Sequence, residues 1–453
     1  MKRKLIILGG LLILAVTMSE AAPKWAAKAA KAVFTLKTFA ADGTLIGSAC
    51  GFYTGTDGEA VSCYTPFKGA QRAVIIDAQG KEQTVTMLMG ANEMYDIVKF
   101  QVDSKKTTPL TIASTPAAEQ ASIWLLPYAK TKNVACIQGT ISKTESVLTN
   151  QTYYTMQLKS EAEQIGSPIL NDNGEAVGIL QPAADSQTTE SYAVSVEAAT
   201  QLTVGALSLN ESALRSTGIA KAVPANLNDA LLSMYVAPSA MSAEQYEDYV
   251  NRFIAQFPKS SDGYVYRARI YISKENNAAA EEDLKKAIEV ADNKVEAYYA
   301  VAQCKLQMDD KKGALALLDQ AVNSFPQPYA KDVAPYLYAR EQVEMSIRRY
   351  QQAIDDIKEA VNLEPNNILY RVELAKVYLR VNLMDEAIAT AQECVDKAPS
   401  VGDGHLILGL AQCIKGDKES GLQHLEKAKE LGNSQAQILI DKYTIESNQE
   451  SNQ

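Results

Sequence analysis

A fixed period in the C-terminal half of the chain constrains the fold more than any other feature. Small residues recur there at steps of 34, 39, 34 and 34 positions, at Ala280, Ala314, Ala353, Ala387 and Gly421. Two further columns keep the same spacing, namely Ala287, Ala321, Ala360, Cys394 and Ala428, and Ala268, Ala302, Ala375 and Gly409. Amphipathic stretches with small residues at a fixed period pack as closely approaching helical pairs. The sequence therefore predicts a stack of helical pairs, with an insertion before Tyr336.

The residues within one period identify the kind of repeat. Their spacing resembles the consensus of tetratricopeptide repeats, through Tyr264, Ala268, Tyr271, Ala280, Leu284 and Ala287. The resemblance implies repeats over 261–435, a capping helix near 435–443 and a groove lined by the first helix of each pair. Counting along those helices predicts the groove residues Arg269, Tyr299, Gln303, Tyr338, Gln342 and Lys376. Tyrosine and glutamine suit an extended polypeptide, although each side chain could equally be an ordinary surface or packing residue. The family's regular Lys/Asn clamp for a C-terminal carboxylate is not among them.

The N-terminal half has a different pattern, in which short apolar or alternating runs are separated by turn residues. Two groups of about six runs lie within residues 32–102 and 110–196. Alternation with frequent turns is typical of antiparallel β structure. The pattern predicts a sandwich or barrel, and periodicity alone does not distinguish between β folds.

One hairpin in this half bears on chemistry. The run from Glu163 to Leu180, EQIGSPILNDNGEAVGIL, has two apolar strands around a turn cluster. It resembles the active-site hairpin of trypsin-like serine proteases, especially the HtrA-like branch, as do the segments 47–70 and 94–103. The resemblance implies a double β-barrel. The predicted fold class is thus multidomain, an all-β trypsin-like double barrel plus an all-α tetratricopeptide superhelix.

The same resemblance places three residues at the catalytic positions. Thr65 stands in place of the histidine, Asp96 retains the aspartate, and Ile165 stands in place of the serine, while a glutamate replaces the glycine that presents an oxyanion N–H. Isoleucine has no hydroxyl to attack a carbonyl. Both histidines of the chain, His405 and His424, lie outside the barrel region, which therefore has no imidazole base. The sequence predicts a protease fold without protease chemistry, in a protein that is not an enzyme.

The alternative is an active hydrolase with non-standard residues. It would use Lys68 as the base, with Ser62, Cys63 or Thr65 as the nucleophile, and such a lysine must be desolvated to lose its proton. Asp96, which lacks a histidine partner, is predicted to be a buried structural carboxylate that accepts hydrogen bonds from Thr65 or the neighbouring backbone. The alternative hypothesis is that Asp96 is exposed to solvent. A third interpretation makes the barrel a spacer or dimerisation module.

Several features concern the compartment and the partners. Residues 1–21 combine a basic start, an apolar run and small residues, which predicts a secretory signal and a periplasmic or secreted protein. A membrane anchor is the alternative, but the run is short for a span. A net charge of −10 makes nucleic acid a poor partner. Cys50 and Cys63 lie opposite each other on predicted adjacent strands, so a disulfide is one expectation and two thiols the other. No cofactor or metal site is predicted.

The predicted organisation follows from these segments. Residues 1–21 are a signal peptide, 28–208 the barrel domain, 209–240 a packed linker, 241–445 the repeat domain and 446–453 a disordered tail. The predicted function is that of an exported scaffold or adaptor that binds protein or peptide partners through the repeat groove.

Overall fold

The chain folds as two compact units, residues 1–252 and 253–453. The structure, a computed structural model, describes residues 22–129, 134–147, 151–183 and 189–450. The predicted signal peptide lies outside the described residues.

The described residues of the first unit form two closed antiparallel barrels. The first barrel contains β1 (Val33–Phe39), β2 (Leu45–Tyr53), β3 (Glu59–Ser62), β4 (Arg72–Ile76), β5 (Glu82–Asn92) and β6 (Ile97–Val102). The second contains β7 (Ser122–Leu125), β8 (Ile137–Val147), β9 (Gln151–Gln157), β10 (Pro168–Leu170), β11 (Ala176–Gln181) and β12 (Glu190–Ser195). Their strand orders are β1-β2-β3-β6-β5-β4 and β10-β11-β12-β9-β8-β7. Short helices α1 (Ala26–Ala29), α2 (Val196–Thr200) and α3 (Ser212–Arg215) flank the barrels.

The alternating pattern of β1 fills the interior of the first barrel. Phe34 and Leu36 are fully buried, and the Phe34 ring packs edge-on against Tyr53 and Phe100 at centroid distances of 5.0 and 6.1 Å. Burial of each such side chain contributes roughly 2 kcal/mol. Gly51 leaves the room that this ring needs, because a Cβ there would lie 2.5 Å from the ring.

The hairpin of β10 and β11 closes through the turn cluster that the sequence indicated. The Asn171 side-chain oxygen accepts hydrogen bonds from the backbone N–H groups of Asn173 and Glu175, each at 3.0 Å. Gly174 has φ +78°, and an added Cβ would lie 2.7 Å from the Trp25 ring. The turn therefore requires glycine both for its backbone angle and for the aromatic packing against it.

The segment after the second barrel packs back onto the first barrel. Lys221 forms a parallel bridge with Leu88 of β5, and the Tyr64 hydroxyl donates to the Ala213 carbonyl at 2.9 Å. Two longer helices follow, α4 (Leu227–Ala240) and α5 (Ala243–Gln256). Ala213 and Lys221 are therefore held against the first barrel.

The second unit is a series of antiparallel helix pairs. The pairs are α6 (Ser261–Ser273) with α7 (Asn277–Val290), α8 (Lys294–Gln307) with α9 (Lys311–Asn323), α10 (Ala334–Ser346) with α11 (Tyr350–Leu363), α12 (Ile368–Arg380) with α13 (Met384–Lys397), and α14 (Gly402–Lys415) with α15 (Lys418–Glu430). A final helix, α16, spans Ala436–Glu450. The predicted fold class, a trypsin-like double barrel followed by tetratricopeptide-like helices, is confirmed.

The periodic small residues lie where paired helices cross. The alanines of the three columns are fully buried. In the last pair a Cβ on Gly421 would lie 2.4 Å from the Cys413 sulfur, and one on Gly409 would lie 2.6 Å from the Gly421 carbonyl oxygen. Larger side chains at these points would separate the helices.

The last helix is longer than the sequence suggested. α16 continues to Glu450, through residues expected to begin a disordered tail at Glu446. The stretch has no proline or glycine to end a helix, and Gln437 donates to Asp441 one turn later at 2.7 Å. Among the described residues, no helix combines the length and the apolar character that crossing a membrane requires.

Candidate functional sites

Thr65 and Asp96 meet at the position that the peptidase resemblance assigns to a histidine–aspartate pair. The Asp96 oxygen Oδ1 accepts from the Thr65 backbone N–H at 2.6 Å and from the Thr65 hydroxyl at 2.7 Å. Burial raises the pKa of Asp96, and the hydrogen bonds from Thr65 oppose that rise. Asp96 is half-buried rather than fully buried, and its donors are those that the sequence predicted.

Ile165 occupies the nucleophile position without any group that could attack a carbonyl. Its side chain packs partly buried against the core of the first barrel. Its backbone N–H, a candidate oxyanion donor, is directed to the Ala162 carbonyl at 3.3 Å in a short 3-10 turn, Ala162–Gln164. Glu163 is exposed in that turn. In this arrangement the Ile165 N–H is already hydrogen-bonded to a carbonyl, so it does not point at an oxyanion.

The predicted groove residues lie on the first helices of four successive pairs. Arg269 and Gln342 are exposed, and Gln303 is half-buried. Tyr299 is 37% exposed, and the half-buried Tyr338 packs at a tilted angle against a neighbouring aromatic ring of α12. The sixth residue, a lysine on α12, is described next.

Two of the predicted residues belong to a larger group that the sequence analysis missed. Tyr299 packs edge-on against Tyr336 at 5.6 Å, and Tyr338 packs against Tyr370 at 5.5 Å. We call these four residues the tyrosine cluster. The recurrence of tyrosine at positions 336 and 370, one 34-residue step apart, was a signal that could have found it.

Acidic side chains surround the tyrosine cluster. Glu373 and Glu341 lie near Tyr338. Gln342 donates to Glu341 at 2.9 Å. Lys376 lies 3.5 Å from Glu373 and 4.0 Å from an aspartate of α14. Tyr299, Tyr338, Gln342 and Lys376 are therefore brought together, whereas Arg269 lies one pair away, against Cys304 of α8.

Comparison with known proteins identifies both units. Residues 49–179 match the family model of the trypsin-like peptidase domain, and residues 254–334 match that of the tetratricopeptide repeat. The chain carries a trypsin-like peptidase domain followed by tetratricopeptide repeats. No curated protein matches the sequence.

Crystal structures of the Rv3671c protease from M. tuberculosis resemble part of the chain. The active form has 16% identity and a TM-score of 0.33, and the alignment covers 38% of this chain and 78% of that one. The inactive form has 16% identity and a TM-score of 0.32, covering 38% and 88%.

The match of the peptidase domain corrects one prediction. The expectation that the chain is not an enzyme is contradicted, because residues 49–179 match a peptidase domain. The prediction relied on missing side chains alone. In serine proteases a rate enhancement of roughly 10³–10⁴ over water survives the removal of triad members, since substrate binding and oxyanion stabilisation remain. Substituted triad positions therefore do not exclude hydrolysis.

The lysine-based alternative does not fit the geometry of the peptidase domain. Lys68 is exposed and donates to Glu93 at 2.6 Å, and this hydrogen bond raises the pKa of Lys68, so that its amine stays protonated. Ser62 is fully buried and donates to a backbone carbonyl at 2.5 Å. Burial raises the pKa of the Cys63 thiol. Of the three nucleophiles considered, only Thr65 is exposed.

The disulfide between Cys50 and Cys63, one of the two expectations, is not formed in this structure. Both are free thiols, and each is adjacent in sequence to a member of the Gly51–Ser62 pair of β2 and β3. The Cys50 thiol donates across to the Glu163 carbonyl at 3.4 Å, while Cys63 packs in the core of the first barrel. The two thiols therefore contact different groups: Cys50 a backbone carbonyl, and Cys63 the apolar core.

A cleft of about 510 Å³ opens beside Cys50 in the peptidase domain. Its lining comes from the first barrel through Thr35 and Ser48, and from the second barrel through Tyr128 and Gln164. The lining has more apolar than polar surface, and it includes residues of the 162–164 turn that holds the Ile165 N–H.

Proposed function

We propose that this chain binds a polypeptide partner through its tetratricopeptide repeats. The observation that carries the proposal is the match of residues 254–334 to this repeat, together with partly exposed Tyr299, Gln342 and Lys376 on successive first helices. Tyrosine and glutamine offer planar, hydrogen-bonding surfaces, and tyrosine does so at low cost in conformational entropy. We further propose that the protein acts outside the cytoplasm, in the periplasm or as a secreted protein, because residues 1–21 have the pattern of a secretory signal.

A crosslinking pull-down with the full-length protein tests this function. Wild type is compared with Tyr299→Ala and with Tyr235→Ala, a control that removes a tyrosine of α4 with 76% exposure. We expect Tyr299→Ala to reduce recovery of the partner about fivefold or more and Tyr235→Ala to leave it unchanged. Equal recovery with both variants would contradict binding at the groove.

A second candidate function is hydrolysis in the peptidase domain by non-standard residues. The hydrogen bond of 2.7 Å from the Thr65 hydroxyl to Asp96 favours it, because a half-buried carboxylate whose pKa is raised by burial is a better base than an exposed one. Asp96 would accept the proton of Thr65 or of a water molecule in its place. For an oxyanion donor, the 162–165 turn would have to release the Ile165 N–H.

Casein turnover by purified full-length protein tests the hydrolase. We expect Asp96→Asn and Thr65→Val each to reduce the rate by roughly 10²-fold or more, the range for loss of a general base. Asp103→Asn, at an exposed aspartate of the same domain, is the matched control. If neither Thr65→Val nor Asp96→Asn changes the rate of casein turnover, other residues carry the activity.

A further inference from the structure

Glu341 breaks the column of small residues in the repeat unit. It occupies the crossing position at which the other first helices have Ala268, Ala302, Ala375 and Gly409. Its side chain is 1% exposed. A carboxyl group at a helix crossing costs stability unless compensating groups surround it.

The surroundings of Glu341 supply little compensation. Its own helix contributes the amide of Gln342 at 2.9 Å. The neighbouring helices contribute Glu373 and Arg380 from α12 and Asp356 from α11. Asp356 is already held by Arg340, through two hydrogen bonds of 2.7 Å. Burial, followed by the charge of Glu373, raises the pKa of Glu341 to about 8, so the site favours an added positive charge.

The tyrosine cluster lies beside Glu341, which is near Tyr338, and it has the chemistry to receive a cation. Tyr299, Tyr336 and Tyr338 are partly exposed, whereas Tyr370 is buried, so the first three rings present π-faces that attract ammonium and guanidinium groups. Within the described residues, no hydrogen bond occupies the hydroxyls of Tyr299 and Tyr338. Glu296 adds a further negative charge near Tyr336, and Glu373 remains 16% exposed beside Lys376.

We propose that the tyrosine cluster binds a lysine or arginine side chain of an extended polypeptide, with Glu373 and Glu341 as its counter-charges. This inference rests on the proposed binding of polypeptide by the repeats, and it adds the chemistry of the bound segment. The acidic groups oppose the alternative of a C-terminal carboxylate as ligand. Charge complementarity and the ring faces select a basic segment.

Binding of labelled nonapeptides to the full-length protein, measured by fluorescence anisotropy at physiological salt, tests the proposal. One peptide alternates lysine and serine, and its matched control has glutamine at every lysine. We expect the lysine peptide to bind about tenfold more tightly. Equal affinity for the two peptides would overturn the proposal but leave polypeptide binding intact. If neither peptide binds while the pull-down still recovers a partner at the groove, the proposal again fails alone.

Variants locate the site on the protein. We expect Tyr299→Ala and Glu373→Gln each to weaken lysine-peptide binding about fivefold, and Lys376→Gln to strengthen it about twofold by removing a competing cation. Glu430→Gln removes one exposed carboxylate of α15 and should have no effect. Equal losses in Glu430→Gln and Glu373→Gln would indicate diffuse attraction and overturn the proposal. Thermal melts confirm that each variant is folded.

Proton release gives a second readout. A bound cation stabilises ionised Glu341, so binding near pH 7.5 should release protons, detected as a calorimetric enthalpy that depends on the ionisation heat of the buffer. We expect Glu341→Gln to abolish most of this dependence. Unchanged proton release in Glu341→Gln would exclude Glu341 as a counter-charge.

Discussion

The half-buried Asp96 of the peptidase domain and the fully buried Glu341 of the repeat unit differ in the hydrogen bonds that they receive. Asp96 accepts two hydrogen bonds from Thr65, so a residue left without a histidine contributes to local structure. In the repeat unit, burial raises the pKa of Glu341 to about 8 and that of Glu344 to about 7. One Glu344 oxygen has no hydrogen-bond partner among the described residues. Unfavourable arrangements of this kind are typical of functional sites, and they point to the repeat unit.

Gly166 gives the largest expected effect on the peptidase side of this comparison. Its φ is +86°, and an added Cβ would lie 2.2 Å from the Cys50 carbonyl oxygen. We expect Gly166→Ala to lower the free energy of unfolding of the domain by roughly 3 kcal/mol or more, from strain and steric overlap together. Fluorescence of the two tryptophans, Trp25 and Trp124, both in this unit, reports its denaturation.

Gly43→Ala is the matched control for that prediction. Gly43 also has a positive φ, of +86°, but no atom lies within 4 Å of the added Cβ. Its cost should be limited to about 1 kcal/mol of backbone strain. If the Gly166→Ala protein is as stable as the Gly43→Ala protein, the backbone around Gly166 is loosely packed. The peptidase domain would then not be the tightly constrained member of the comparison.

Glu341→Gln tests the repeat side, with an effect of a few kcal/mol that depends on pH. The folded-state pKa of Glu341, about 8, lies above the ordinary glutamate value of 4.5. Its contribution to stability is therefore fully present below about pH 4.5 and is lost as pH rises through about 8. We expect Glu341→Gln to be more stable than wild type at pH 8.5 and to lose that advantage near pH 4.5, in urea unfolding followed by helical circular dichroism.

The exposed Glu430 provides the control for this pH dependence. Glu430→Gln should leave the difference between pH 4.5 and pH 8.5 close to that of wild type. If Glu341→Gln is destabilising at pH 8.5, the buried carboxylate is well compensated, and the contrast with Asp96 disappears. If Glu341→Gln instead stabilises the protein at pH 8.5 and also weakens binding of the lysine peptide, the native Glu341 lowers stability but contributes to binding.

The sequence predicted local patterns well and three-dimensional neighbours only in part. The two six-stranded barrels coincide with the two groups of runs that alternation indicated, since strand periodicity is a local property. The contact between Thr65 and Asp96 was also foreseen, because the family resemblance supplied the fold. The tyrosine cluster was not, because its rings come from three helices whose relative rotation no single helix encodes. The sequence shows that Glu341 interrupts the column of small residues, but it does not show which side chains surround Glu341 in the folded protein.

The two histidines of the chain give a smaller effect, of opposite sign to that of Glu341. His405 Nε2 donates to the Pro399 carbonyl at 3.1 Å, so Nδ1 of neutral His405 accepts from His424 at 3.1 Å. Burial, and then His405, lower the pKa of His424 from 6.5. Its contribution to stability is therefore present above about pH 6.5 and is lost as pH falls below that value.

His424→Gln should remove this dependence. We expect the stability difference between wild type and His424→Gln to shrink by about 1 kcal/mol from pH 7.5 to pH 5.5, in urea titrations. Taking the difference between the two proteins cancels the titration of Glu341 and Glu344. If the stability difference between wild type and His424→Gln grows as pH falls, the folded protein stabilises the protonated form of His424.

The turns inside the helix pairs give the smallest effect and compare the repeats with one another. Each turn has one residue with positive φ, at Glu275, Asp309, Arg348, Asn382 and Gly416. A left-handed non-glycine residue costs roughly 1–2 kcal/mol, partly offset by the greater freedom of glycine in the unfolded chain. We expect Arg348→Gly to stabilise the repeat unit by about 0.5 kcal/mol in urea unfolding, and Asn382→Gly by less, because asparagine tolerates this conformation. Gly416→Ala, whose Cβ would meet no atom within 4 Å, should destabilise by a similar amount. A neutral Gly416→Ala would show that the turns relax, and the backbone strain assigned to four of the repeats would then be absent.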